Sequence, residues 1–222
     1  MYYSQHSLAV LVLHAAGVHG ASLALFHPWN ASEWIASDDG IRGGLSRSRL
    51  EVIQPGSPGN LLGDEAIARF SGNLDYEALN GSGFASQRTV DGWAGADLSA
   101  FDRFIIEVPY TDGKTYTLNV KDTVLPPVNG VEQATVSWEH DFQLPPRDAA
   151  AAADDRYGQA VVRFEDLVPT YRGRVQNDTA PLNLGDIKRF NIMIRSFFGQ
   201  ESQAGDFDLG LKSILATDSD TV

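Results

Sequence analysis

The chain of 222 residues contains no cysteine, two methionines and five histidines, and sets 17 Lys+Arg against 29 Asp+Glu. Without cysteine there is no disulfide framework, thiolate zinc site, iron–sulfur cluster or cysteine nucleophile. Histidine is scarcer than its count suggests, since His6, His14, His19 and His27 lie in the first 27 residues and leave only His140 beyond them. A catalytic triad or histidine metal site would rest on His140 or on the N-terminal segment, and the His14/His19 spacing puts the two rings on different helix faces. The shortage of cations gives a net charge of -12 and a pI near 4.7. That balance argues against nucleic acid and anionic lipid, both of which select a basic face.

What is present is enough to build a core. At 43% hydrophobic and 10% aromatic residues, the chain is far from the composition of a disordered acidic tail. Residues 7–16 form an apolar run followed by small residues, which reads as a secretory leader or as an ordinary first segment. Neither reading gives a stable membrane span, because His14, Gly17, His19 and Gly20 interrupt the apolar length. Residues 1–41 carry no Lys or Arg, so a mitochondrial matrix location is disfavoured and a secretory or cytoplasmic one expected. Three N-x-S/T sequons, at Asn30, Asn80 and Asn177, fit a secretory route. The expected organisation is an N-terminal segment (1–25), one domain (26–216) and a polar tail (217–222).

Within that domain, short segments rich in β-branched and aromatic residues recur between Gly, Pro, Asn and Asp, the pattern of an all-β sandwich. Strands are expected at 49–53, 66–72, 103–110, 114–122, 134–142, 159–164, 188–198 and 206–214. Asp112-Gly113 predicts a tight hairpin between the third and fourth of these. Single turns are expected at 75–79 and 164–167, and a loop or one frayed turn at the alanine run 149–153. Alternation then assigns faces. Tyr116, Leu118 and Val120 point one way, and Thr115, Thr117, Asn119 and Lys121 the other. Phe190, Ile192, Ile194 and Phe198 read as core, with Asn191, Met193, Arg195 and Phe197 opposite. In 135–141, Val136, Trp138 and His140 oppose Thr135, Ser137, Glu139 and Asp141. The second faces mix polar and apolar groups, which fits a ligand- or partner-binding surface and also a solvated outer face.

Motifs for known chemistries are weak. Asn80-Gly-Ser-Gly-Phe-Ala-Ser86 approaches a dinucleotide fingerprint but lacks its last glycine and a βαβ setting, so it reads as a glycine turn. There is no GxxxxGK[ST] and no GxSxG. Glu139 and Asp141, about 7 Å apart on one strand face, are a weak match to a glycosidase pair, which straddles a cleft. Asp38-Asp39-Gly40 and Asp206/Asp208 have oxygens for calcium, yet turn formation explains the first without an ion. No metal site and no cofactor is expected.

Several ordered stretches are of another kind: Ser37–Ser48 (SDDGIRGGLSRS), Gly83–Thr89, Asp97–Phe101, Gly113–Tyr116, Pro169–Arg174, Ile187–Gly199 and Gly205–Ile214. From Trp34 to Ile214 their sequence and order resemble the family of the complex I intermediate-associated protein of about thirty kilodaltons. The resemblance implies a galactose-binding-like jelly-roll β-sandwich with two antiparallel sheets. It also implies a founding role in respiratory complex I assembly, exerted by binding intermediates rather than by chemistry, with no catalytic motif to carry over.

Two functional readings follow. In the first, the chain is a non-catalytic binding module that holds a protein or glycan on a jelly-roll face. In the second, it is a cofactor-independent cyclase or isomerase of secondary metabolism that shapes an apolar small molecule. As an enzyme it would use Lys121 and Arg195 to stabilise an oxyanion and Glu139 to move a proton. The ligand-binding candidates are Arg88, Asn119, Trp138, Arg172, Met193 and Phe197.

Overall fold

A computed structural model describes residues 21–60, 65–148 and 158–218. The apolar run 7–16, the first three histidines, the alanine run 149–153 and residues 219–222 lie outside the described residues. Among those described, fourteen strands form: β1 (Ser22–Ala24), β2 (Trp34–Ala36), β3 (Arg47–Ile53), β4 (Ile67–Leu74), β5 (Phe84–Thr89), β6 (Arg103–Val108), β7 (Tyr116–Lys121), β8 (Ser137–Phe142), β9 (Gly158–Arg163), β10 (Val168–Tyr171), β11 (Arg174–Val175), β12 (Arg189–Arg195), β13 (Gly205–Leu211) and β14 (Ser213–Thr217). Each of the eight expected strand segments is a strand, the last one divided at Lys212 into β13 and β14. β1 falls inside the segment placed ahead of the domain, so the sheet includes Ser22–Ala24.

The strands make an antiparallel sandwich. One layer is a seven-stranded sheet in the order β11-β10-β8-β7-β12-β5-β2. The other joins a three-stranded sheet, β13-β4-β3, to a four-stranded one, β1-β14-β6-β9. The joint is the chain 205–217 itself. β13 carries on as β14, and the backbone bonds Gly210 N–H to Tyr110 O, Asp112 N–H to Asp208 O and Lys212 N–H to Glu107 O tie both halves to the β6 side. Ser22 pairs with Thr217 and Ala24 with Leu215, so the first and last strands close the layer together.

Between the layers, the inward halves of the alternating strands interdigitate. Tyr116, Leu118, Val120, Phe190, Ile192 and Ile194 from the large sheet are buried against Phe70, Phe104, Ile106, Leu209 and Ile214 from the other. At one end, Phe26, Trp29, Trp34, Trp93 and Phe190 pack ring on ring with centroids 4.8–5.9 Å apart. Each such side chain contributes about 1.5–3 kcal/mol of hydrophobic stabilisation. Among the described residues, no helix is long and apolar enough to cross a membrane.

Two expectations are corrected. Asp112-Gly113 does not close a hairpin, because β6 pairs with β14 and β9 whereas β7 pairs with β12 and β8. The turn instead carries the chain from one layer to the other. Gly113 has φ +83°, and the Asp112 carboxylate accepts from the Lys114 N–H, the Tyr116 hydroxyl and the Asp208 N–H. Phe198 is not core: it is 88% exposed. β12 ends at Arg195, and positive φ at Phe197 and Phe198 (45° and 61°) turns the chain away before the alternation reaches them.

The aspartates of Asp38-Asp39-Gly40 clamp the layers together. Asp39, fully buried, accepts from the Ser46 N–H (3.1 Å), the Ser46 hydroxyl (2.7 Å) and the Phe84 N–H (3.1 Å). Asp38 accepts from Ser48 N–H and Oγ and from Ser86 N–H. Their oxygens are taken up by protein donors.

Candidate functional site

The face of the seven-stranded sheet turned away from the core is set by register. Arg88 stands opposite Asn191, Asn191 opposite Asn119 and Asn119 opposite Glu139, which makes one row across β5, β12, β7 and β8. The next row runs Ser86, Met193, Thr117 and Asp141. On the other side of the first row, Arg189 lies opposite Lys121. Four strands span about 14 Å, and the three rows about 13 Å along them.

Short side chains make the floor of this face and long charged ones its two ends. The floor is Ser86, Thr117, Asn119 and Asn191, with Met193 among them. At one end Arg195 donates from Nη1 to Glu139 (2.8 Å) and from Nη2 to both Asp141 oxygens (2.7 Å each), and its guanidinium lies 4.9 Å from the Phe197 ring centroid. The other Glu139 oxygen accepts from the Thr170 hydroxyl at 2.7 Å, and Asp141 also accepts from the Thr117 hydroxyl at 2.6 Å.

At the opposite end, Arg88 and Arg189 share two carboxylates, Glu132 from the β7–β8 connection and Asp91 from the segment after β5. The Lys121 ammonium donates to the Thr135 carbonyl (3.2 Å) and hydroxyl (3.1 Å). Burial pushes Lys121 below the ordinary lysine value, with Arg189 and Arg88 acting in the same sense and Glu132 and Glu139 against it. Burial likewise lowers Arg189, against the pull of Glu132.

Four buried side-chain atoms on this face have no hydrogen-bond partner among the described residues: Asn119 Oδ1, Asn191 Oδ1, Arg189 Nε and Arg195 Nε. Buried polar atoms are almost always paired, so a concentration of unspent donors and acceptors on one face marks it for polar contact.

Six of the nine expected site residues come together here: Lys121, Arg195, Glu139, Arg88, Asn119 and Met193. Phe197 stands at the rim beside Arg195. Trp138 does not join them. It pairs with Val120 on the inward side and packs against the core. Arg172 lies apart, exposed in the β10–β11 turn over the Tyr171 ring. Asn191, Arg189 and Glu132 belong to the site and were not among the candidates. Alternation already put Asn191 on this face beside Met193, whereas nothing local marks Glu132, which arrives by a long connection.

Against the other layer lies an open groove of about 660 Å³, walled in part by Arg69, Tyr110, Asp112, Arg147 and Asp208. Arg69 and Asp208 pair there through two bonds, at 2.9 and 2.6 Å, and none of the expected site residues reaches it. Among the described residues, no group of three or more His, Asp or Glu is placed to hold a metal ion.

Comparison with known proteins bears on the whole sandwich. The chain is 34% identical over 189 residues to an uncharacterized protein of Schizosaccharomyces pombe, covering 85% of this chain and 79% of that one. Its structure is similar to the family 11 carbohydrate-binding module of the cellulase Lic26A-Cel5E of Clostridium thermocellum (TM-score 0.55, 11% identity, 92% of this chain and 97% of that one). It is also similar to the family 11 module from that organism in complex with a β-1,3-1,4-mixed-linked tetrasaccharide (TM-score 0.54, 11% identity, 90% and 96%). These likenesses establish the fold as the galactose-binding-like jelly roll. The model of the family described as Complex I intermediate-associated protein 30 matches residues 25–211, and the chain belongs to that family.

Proposed function

We propose that the chain is a binding module that takes an oligosaccharide on the outer face of its seven-stranded sheet. One observation carries the reading: the paired amides of Asn119 and Asn191, with unspent acceptors, sit on a floor of hydroxyls and amides between two charged ends. A polyhydroxylated ligand offers donors and acceptors at the spacing of such a floor and needs no large apolar patch. The rings of Phe84 and Phe197, at the Arg195 end, suit the apolar face of a sugar. Binding is favoured over proton transfer because both oxygens of Glu139 are committed, to Thr170 and Arg195. Asp141 is committed in the same way to Thr117 and Arg195.

The test is calorimetric titration of the full chain with a panel of neutral β-linked tetrasaccharides. At least one is expected to bind, and Asn119→Ala with Asn191→Ala is expected to weaken it about tenfold, or about 1.4 kcal/mol. A chain that binds no glycan and is recovered instead with a protein partner would overturn the reading. So would glycan binding that ignores both asparagines.

A further inference from the structure

The Arg88–Arg189 end of the face has an uneven charge count and an uneven burial. The side chains of Arg189 and Arg88 are 3% and 13% exposed, whereas those of Glu132 and Asp91 are 36% and 68% exposed. The cations are therefore built into the sheet, and the carboxylates reach them from outside it. Glu132 sits 3.0 Å from Arg88 Nε and also contacts Arg189 Nη1. Asp91 lies 3.0 Å from Arg88 Nη1 and also contacts Arg189 Nη2. Lys121 makes no direct ion pair with either acid: among the described residues its ammonium bonds Thr135 alone, and Glu132 acts on it through its charge. Glu139, whose charge also acts on Lys121, is bound to Arg195. At this end three cations thus face two acids, and the face as a whole balances only at its other end, where the two acids Glu139 and Asp141 meet Arg195. Beside Lys121 on the same face, Asn119 is 4% exposed with its Oδ1 unpartnered, and Arg189 keeps its Nε unpartnered.

We infer that this end is an anion subsite, that its ligand is a uronic-acid sugar whose carboxylate binds Lys121 and the two arginines, and that Glu132 fills the subsite when no ligand is bound. The inference rests on the reading of the face as a glycan site and narrows its substrate class. A guanidinium binds a carboxylate through two parallel charge-assisted bonds, and two guanidiniums beside an ammonium in a partly desolvated setting prefer it to a hydroxyl. Glu132 gives one oxygen to each guanidinium, Oε2 to Arg88 Nε and Oε1 to Arg189 Nη1, from the β7–β8 connection, whose turn is closed by mutual backbone bonds between Val128 and Val131. A sugar carboxylate arriving over Asn119 would take the same guanidinium edges and add the bond to Lys121 that Glu132 does not make.

The experiment is titration of the full chain with cellotetraose and with its counterpart carrying carboxylates at C6. The acidic sugar is expected to bind about tenfold more tightly at low salt, and the advantage should shrink as ionic strength rises. Glu132→Gln should widen it and Lys121→Met should abolish it. Asp91→Asn, with melting temperatures for every variant, covers the case in which Glu132→Gln fails to fold. Equal affinity for the two sugars, or preference for the neutral one, overturns the inference and leaves the glycan reading standing. An acidic advantage untouched by Lys121→Met also overturns it. Binding of neither sugar overturns the inference, and binding of no member of the neutral panel overturns the glycan reading as well.

Discussion

At the scale of single residues, the largest effects fall where buried polar groups have no alternative partner. Asp39 satisfies two donors on Ser46 and one on Phe84 from full burial, so Asp39→Ala strands the Ser46 and Phe84 N–H groups, while the Ser46 hydroxyl keeps the Asp75 carbonyl as acceptor. The expected cost is about 3 kcal/mol, read as a lower urea midpoint. Gly44→Ala should act on the same clamp, because a Cβ there would stand 2.2 Å from the Asp39 carboxylate. Lys121 gives a pH signature. Its folded-state value lies below the ordinary one, so in the window between the two the unfolded chain holds more protons. Stability should therefore rise with pH across that window and level off above the ordinary lysine value. Urea midpoints of Lys121→Met should lack that rise. These residues were unequally legible in the sequence. Alternation gave the faces of Asn119, Lys121, Met193 and Arg195, because a strand's period is a local property. Trp138 was drawn in by its ring although its own alternation set it opposite Glu139. Glu132 could not be found, since an ion pair across 57 residues leaves no local trace; Asp91 has a local partner in Arg88, three residues before it, but its second bond, to Arg189, spans 98 residues.

At the scale of elements, β12 is the strand on which the large sheet depends, paired along its length with β7 on one side and β5 on the other. Ile192→Ala empties a buried site between the layers and should cost about 2–5 kcal/mol. Phe198→Ser, three residues past the end of the strand, should change stability by less than about 0.5 kcal/mol. Chemical denaturation of the pair measures both, and it separates the buried part of the segment 188–198 from its exposed end. The strands that the sequence announced are those with a β-branched or aromatic run. β2, β10 and β11 are two to four residues long, too short for a period to show. β5 reads Phe-Ala-Ser-Gln-Arg-Thr and is held by its two neighbours and the Asp38 clamp rather than by propensity. Which strands pair was less legible still. The Asp112-Gly113 turn has the composition of a hairpin, and its actual course depends on β13, nearly a hundred residues away.

For the whole molecule, the first and last of the described strands complete one layer. β1 and β14 lie wholly outside the 25–211 stretch matched by the family, yet Ile214, Ala216 and Thr217 are buried and β14 runs between β1 and β6. A fragment cut to 25–211 would expose the pairing edge of β6 and part of the core. It is expected to aggregate or unfold, as circular dichroism and size exclusion would show, whereas 21–218 stays folded. Within residues 21–218, the pairing of Ser22 with Thr217 also makes the fold nearly a closed ring. Their Cα atoms are held about 5 Å apart, and Thr217 Oγ1 bonds the carbonyl of Ala21. A short Gly/Ser bridge from Asp218 to Ala21 can therefore rejoin the ends, with new termini cut at the exposed Arg172-Gly173 turn. The order in which the strands are synthesised would then be free to change while the sandwich they build stays the same.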